Sequence, residues 1–309
     1  MGGDFAPECN ILGVQDFLLA TGSDVEVVLI GKESEIAEII RSKNGYPGNF
    51  RIVHAENVLS MGDDPVNAIK KGAGTSIVKG FELLAAKKID AFVSAGNSGA
   101  MSVGAMHYLD KIEGVIRPCM PIMVNKVDGE KMIILDSGLN VDCRPEVLHQ
   151  FAQLGTICVR EILGKPNPTV ALLNIGEEPT KGNLHAKAAY KLLSDDKKLN
   201  FVGNIEASRI FDSGTADVIV TDGFVGNAIM KVTEGVYRNF IKGKMENPLL
   251  KMFDFELYGG SFIMGISSPV CVGHGISSPL AVRNMLVKAE NIVRSGFIGK
   301  IQKAIEEYE

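Results

Sequence analysis

Val170-Ala-Leu-Leu173 runs straight into Asn174-Ile-Gly-Glu-Glu-Pro-Thr-Lys-Gly-Asn183, and a helix-like run over 184–193 follows. The four leading residues are uniformly apolar, as in a strand covered on both faces. The ten residues between strand and helix carry two amides, two carboxylates, a hydroxyl and a lysine. A strand-to-helix connection needs only a short turn. This loop holds far more polar equipment than a turn requires, so it is read as one wall of a site, with Lys181 as its cationic centre.

The same order of apolar strand, abrupt glycine with asparagine or aspartate, then helix recurs outward from this stretch. Asp90-Ala-Phe-Val-Ser94 meets Ala95-Gly-Asn-Ser-Gly99 ahead of a helix over 100–109. Ala216-Asp-Val-Ile-Val-Thr221 meets Asp222-Gly223 ahead of a helix over 224–244. A strand over 199–202 stops at Gly203-Asn204, and one over 269–272 stops at Gly273-His-Gly275. Helices are expected over 33–43, 75–88 and 145–163, and from Ser277 to the end with a break at Gly296. Asp63-Asp-Pro65 opens a short helix, strands lie over 25–30 and 50–54, and 44–48 is a loop. Asp128-Gly129 between two apolar runs, 121–127 and 131–136, is a hairpin turn.

Strands alternating with helices predict an α/β fold with a mostly parallel sheet and helices on both faces. With no repeat and no linker-like tract, one continuous domain over 1–309 is expected, apart from a protruding or dimer-forming segment at 236–258. Met1-Gly-Gly-Asp-Phe-Ala-Pro7 reads as a turn into a helix, and such a turn normally follows a strand. A first strand of about five to eight residues is therefore expected ahead of it.

Composition narrows the function. A net charge of −5 with no long basic stretch argues against nucleic acid as a partner. No apolar run is long enough for a membrane span, and no basic-then-apolar leader is seen. Five scattered cysteines without a paired spacing argue for reduced thiols in a cytoplasmic protein and against a metal site. No cofactor is expected, because neither a dinucleotide fingerprint nor a P-loop spacing occurs.

In open α/β sheets ligands bind beyond the carboxyl ends of the strands. The residues there are the candidates. Gly96, Asn97, Ser98 and Gly99 can turn backbone N–H groups toward an anion at a helix start; a plain turn with Ser98 as helix cap competes. Lys181 can meet an anion or a developing oxyanion, against the common fate of a solvated lysine. His274 is the histidine placed for acid–base work, while His54, His107, His149 and His185 suit structural roles. Asp222 either orients these cations or caps a helix. Asp4, Asn174, Asn183, Asn204 and Asn227 supply further polar contacts. Cys143 stands badly for a dyad with His149. Arg238, Lys242 and Lys244 beside Leu249, Leu250 and Phe253 form either a buried cap or dimer contact, or an apolar tip with a basic rim for a membrane surface or an acidic protein.

Several of these motifs together resemble the bacterial phosphate acyltransferases of phospholipid synthesis, the PlsX family. The resemblance rests on Met1-Gly-Gly-Asp4, Ser94-Ala-Gly-Asn-Ser-Gly-Ala100, Leu135-Asp-Ser-Gly-Leu-Asn-Val-Asp-Cys143, Leu173 to Asn183, Phe201-Val-Gly-Asn-Ile-Glu206, Asp222-Gly-Phe-Val-Gly-Asn227, Tyr258-Gly-Gly260 and Gly273-His-Gly275. It implies a homodimer with a fold similar to phosphotransacetylases and the isocitrate dehydrogenase group. It implies transfer of a fatty acyl group from acyl carrier protein to inorganic phosphate, with the acyl phosphate passed to a membrane glycerol-phosphate acyltransferase. The rival readings are an acyl- or acetyl-coenzyme A phosphotransacylase and a non-catalytic adapter that docks acyl carrier protein at the membrane. Family members carry a strand before Met-Gly-Gly-Asp, and many have a longer 236–258 segment in which two helices build a membrane-contacting tip.

Overall fold

A computed structural model describes residues 2–21, 24–43, 48–245 and 247–308. Met1 and most of the loop expected at 44–48 lie outside the described residues. The backbone groups into two compact units, residues 1–111 with 255–298 and residues 112–254 with 299–309.

In chain order the first unit holds α1 (Glu8–Thr21), β1 (Glu26–Gly31), α2 (Glu33–Ser42), β2 (Asn49–His54), α3 (Pro65–Lys71), α4 (Ser76–Ala85), β3 (Phe92–Ser94) and α5 (Ser98–Tyr108). The second unit follows with β4 (Ile122–Asn125), β5 (Lys131–Leu135), α6 (Pro145–Leu163), β6 (Thr169–Asn174), α7 (Leu184–Asp195), β7 (Asn200–Glu206), β8 (Val218–Val220) and α8 (Gly223–Lys242). The chain then returns to the first unit with α9 (Phe255–Tyr258), β9 (Ser261–Phe262), β10 (Val270–Val272) and α10 (Pro279–Arg294), and ends with α11 (Phe297–Tyr308), which belongs to the second from Gly299 on.

The expectation of one domain did not include this division. Each unit is discontinuous in sequence, so the chain passes between them without any of the Gly/Pro-rich or polar tracts that mark a linker.

Unit 2 carries a five-stranded sheet in the order β4-β5-β8-β6-β7. β5, β8, β6 and β7 run parallel, and β4 pairs antiparallel to β5 across the Asp128-Gly129 turn. The central strands read as unbroken apolar runs because both faces are covered; Ile133, Ile134, Val170, Leu172 and Val218 to Val220 are all buried. The expected strand end at Gly203 is instead a bulge. β7 continues to Glu206, the β6–β7 register shifts between Val170 and Ala171, and Gly203 takes φ +102, a value glycine adopts without strain.

Helix α7 is stapled to α6 at its carboxyl end. Asp196 accepts from the Lys198 N–H at 2.8 Å and the Gln153 amide at 3.2 Å, and lies 2.8 Å from His149 Nε2. Burial pushes the Asp196 carboxyl up, but these hydrogen bonds outweigh it and hold it below the usual carboxylate range. A carboxylate depressed in the folded state stabilises fully above its unfolded value, about 4, and loses that contribution as pH falls through the folded value. Asp196→Ala is expected to lower stability by about 1–2 kcal/mol at neutral pH. In denaturant melts the gap to the parent closes as pH drops below about 4.

Unit 1 holds two small sheets, β1-β2 and β3-β10-β9, parallel except for β9. Helices α1 and α10 pack together, and α4 lies across both β1 and β3.

Candidate active site

The sheet order of unit 2 puts Asp136, Asp222 and Asn174 at or just beyond the carboxyl ends of the adjacent parallel strands β5, β8 and β6. Asp136 is fully buried. One carboxylate oxygen accepts from the N–H groups of Met120 and Ser137, each at 2.8 Å. The other accepts from the Asn140 N–H at 2.6 Å and its side-chain amide at 3.1 Å. Burial raises the Asp136 carboxyl, and these hydrogen bonds oppose the rise. All four partners donate, so the group serves as an acceptor on both oxygens.

Helix α8 is built onto this hub. The Gly223 N–H donates to the Asn140 carbonyl at 2.7 Å. A Cβ at 223 would come within 2.8 Å of the Asp136 carboxylate, and one at 226 would overlap the Asp136 carbonyl oxygen. Glycine at both positions is what allows so close an approach. Asp222 caps the helix, accepting from the Val225 N–H at 2.8 Å, so the capping role expected as the alternative is the one its side chain plays here. Asn227, one turn on, is exposed beside Gly138.

The 174–183 loop is braced from inside. The Asn174 amide donates to the Lys181 carbonyl at 3.2 Å and to Asn204 Oδ1 at 3.1 Å, and the Asn204 amide donates to the Glu178 carbonyl at 2.8 Å. Asn183 caps α7 through the Ala186 N–H at 2.8 Å. These asparagines shape the loop, and Lys181 is what the loop presents. Its stem lies over Gly176, where a Cβ would meet its Cγ at 2.8 Å, and its ammonium is exposed, 3.8 Å from Glu178. Glu177 pairs with Arg209. Glu177 is thus taken by a loop-bracing ion pair, and Glu178 is a loose neighbour of Lys181.

In unit 1, β3 and β10 are parallel neighbours, so 94–99 and 273–275 leave the sheet side by side. The Gly273 N–H donates to Ser94 O at 2.9 Å, and the Asp4 N–H donates to Gly275 O at 2.7 Å. Asp4, Gly96 to Gly99 and His274 therefore gather at one sheet edge. The α5 cap is Asn97, not Ser98: its side chain accepts from the Ala100 N–H at 2.9 Å. Its amide donates to the carbonyls of Ser60, Met61 and Asp63. Asn97 is spent on architecture. Ser98 is exposed as the first residue of α5, where N–H groups lack intrahelical partners. The His274 carbonyl accepts from the Ser277 N–H at 3.0 Å and its hydroxyl at 2.6 Å, fixing the turn into α10.

Two residues escaped the sequence reading. Asp136 was visible as an acid directly ending an apolar strand. Arg209 had no signal, since its partner is 32 positions away. Cys143 stays out of the chemistry: burial first, then the charges of Asp136 and Asp222, push its thiol up to about 12. At 236–258, Arg238, Lys242, Lys244 and Leu249 are exposed and Leu250 is half-buried. The Phe253 ring packs edge-on against Phe211 at 5.1 Å, inside unit 2. Glu246 lies outside the described residues.

Comparison with known proteins follows the same lines. A family model described as fatty acid synthesis protein matches residues 1–300. The phosphate acyltransferase of Dictyoglomus turgidum is 39% identical over 314 residues, covering 95% of this chain and 92% of that protein. The phosphate acyltransferase of Acetivibrio thermocellus is 39% identical over 322 residues, covering 98% and 94%. A phosphotransacetylase structure from Staphylococcus aureus has a TM-score of 0.56 at 18% identity, covering 92% of this chain and 99% of its own. A branched-chain phosphotransacylase structure from Enterococcus faecalis has a TM-score of 0.53 at 17% identity, covering 87% and 99%. These structures share the α/β fold. With a match through 300 residues and relatives at 39% identity along nearly their whole length, the chain belongs to the phosphate acyltransferase (PlsX) family of fatty acid synthesis proteins.

Proposed function

We propose that this chain transfers a long-chain fatty acyl group from acyl carrier protein to inorganic phosphate, forming acyl phosphate for phospholipid synthesis. The observation that carries the reading is Lys181: an exposed ammonium on a loop braced by two asparagines, in a chain of the phosphate acyltransferase family. A phosphate oxygen attacks the thioester carbonyl carbon. The new C–O bond forms, the C–S bond breaks, and the proton that phosphate gives up ends on the carrier thiol. Lys181 meets the oxyanion that develops on the carbonyl. N–H groups at Gly96 to Gly99 hold phosphate at the start of α5. His274 carries the proton, and Asp222 contributes by capping the start of α8. The lysine and histidine roles are interchangeable on this chemistry.

Ile175 and Leu184 flank the polar loop and are 80% and 84% exposed, apolar surface suited to an acyl substrate. Among the described residues no helix is long and apolar enough to cross a membrane. A cytoplasmic enzyme fits this, with peripheral membrane contact through 236–258 as it hands product to a membrane glycerol-phosphate acyltransferase. The donor separates this reading from a coenzyme A phosphotransacylase. Long-chain acyl carrier protein is expected to exceed acetyl-coenzyme A in kcat/KM by about tenfold or more; equal or reversed preference contradicts it.

The surface that supports a homodimer reading is on α8. Val225, Val232 and Val236 fall on one helical stripe and remain 37%, 65% and 43% exposed. An isologous contact would cover such a stripe on both copies. Val232→Asp is expected to shift the protein from dimer to monomer in sedimentation, with its circular dichroism spectrum unchanged.

A further inference from the structure

The charges of α7 are arranged against the needs of the helix itself. Lys187 lies in its first turn and Lys191 one turn on, while Asp195 is its last residue; no acid stands in the first turn and no base in the last. The helix macrodipole favours the reverse, anions at the amino end and cations at the carboxyl end. Lys187 and Lys191 are also spaced i,i+4, where like charges repel. Neither ammonium has an ion-pair or side-chain hydrogen-bond partner among the described residues to offset this.

The helix period puts Leu184, Lys187, Ala188 and Lys191 on one face, and all four are exposed. Ala189 and Leu193, on the opposite face, are fully buried and hold α7 in unit 2. Leu184 opens the helix three residues after Lys181. At about 1.5 Å per residue, Lys191 stands about 10 Å along the axis from it. The outer face of α7 is thus a strip of two unpaired cations and a leucine that leads back to the loop presenting Lys181.

We propose that this strip docks the acyl donor: it seats an acidic helix of acyl carrier protein, with Lys187 and Lys191 against the partner's carboxylates and the acyl arm leaving over Leu184 toward Lys181. The dock rests on acyl carrier protein being the donor in the transfer reaction. Charge complementarity selects the occupant. A chain of net charge −5 repels an acidic partner as a whole, so a productive approach needs a local group of unpaired cations. Charges at the edge of such a contact act on encounter and orientation. Lys187 and Lys191 therefore deliver the thioester to the Lys181 loop and take no part in the chemistry.

The test titrates acyl carrier protein loaded with a long acyl chain onto the parent, onto the double variant Lys187→Glu/Lys191→Glu, and onto Lys70→Glu/Lys71→Glu. The last makes the same change in net charge at the exposed end of α3. The α7 pair is expected to weaken binding by about tenfold or more and the α3 pair by less than about twofold. In turnover of the carrier thioester the loss from the α7 pair should fall on KM rather than kcat. Equal weakening by the two pairs, binding by the α7 pair within about twofold of the parent, or no binding to the parent overturns the dock. Should the α7 pair fail to fold, Lys191→Glu alone is titrated, with about threefold or more weakening expected and unchanged binding refuting the dock. Phosphate-dependent loss of thioester is read separately. Its failure in a parent whose binding depends on the α7 lysines strikes the transfer reaction and leaves the dock standing.

Discussion

Asp136→Asn is expected to lower the stability of unit 2 by about 3–5 kcal/mol and to abolish activity with it. The substitution changes almost no volume. It replaces one acceptor oxygen of a fully buried group by an NH2, and every partner around that group is a donor. Two N–H groups then face a donor and are left unsatisfied in the interior, where each costs about 1–3 kcal/mol. The damage passes to chemistry because α8 starts on this hub, so Asp222 and Asn227 move with it. Urea melts read the stability loss. Gly226→Val reaches the same end by another route, since its Cβ would overlap the Asp136 carbonyl. Should either variant unfold at the parent's denaturant midpoint, Asp136 is not the hub described.

Lys181→Ala and His274→Ala are each expected to reduce acyl phosphate formation by about 10²–10³, the range for removing one group aimed at a developing oxyanion. Lys181→Ala should leave the melting midpoint close to the parent's, since the Lys181 ammonium is exposed. For Lys181 the loss should fall on kcat more than on KM, because the charge it meets develops in the transition state. Lys181→Arg keeps the charge but broadens it over a planar fork, so partial recovery is expected. Both alanine variants remaining within a few-fold of the parent would remove these residues from the mechanism.

Much of this fold is legible in the sequence because its strands are apolar on both faces and its turns are chemically distinct. The Asp128-Gly129 hairpin and the limits of α6 follow from local residues alone. So does the break at Gly296, which takes φ +63. Where reading failed, the deciding interaction was distant. Gly203 looks like a strand end, yet pairing with β6 carries β7 three residues further. Ser98 is as good a cap by type as Asn97, and only the carbonyls of Ser60, Met61 and Asp63 select Asn97. At the candidate site, residue types at strand ends were readable. The split between asparagines that brace the loop and the lysine it presents was not, since it depends on contacts such as Asn204 to Glu178 across 26 positions.

The most direct measurement follows an acyl carrier protein thioester carrying a long acyl chain in the presence and absence of inorganic phosphate, with the acyl product identified. Loss of thioester only when phosphate is present, with one acyl phosphate formed and one carrier thiol freed per thioester lost, is the expected result. A thioester that survives with phosphate present, or is lost without yielding acyl phosphate, would contradict acyl transfer to phosphate by this chain.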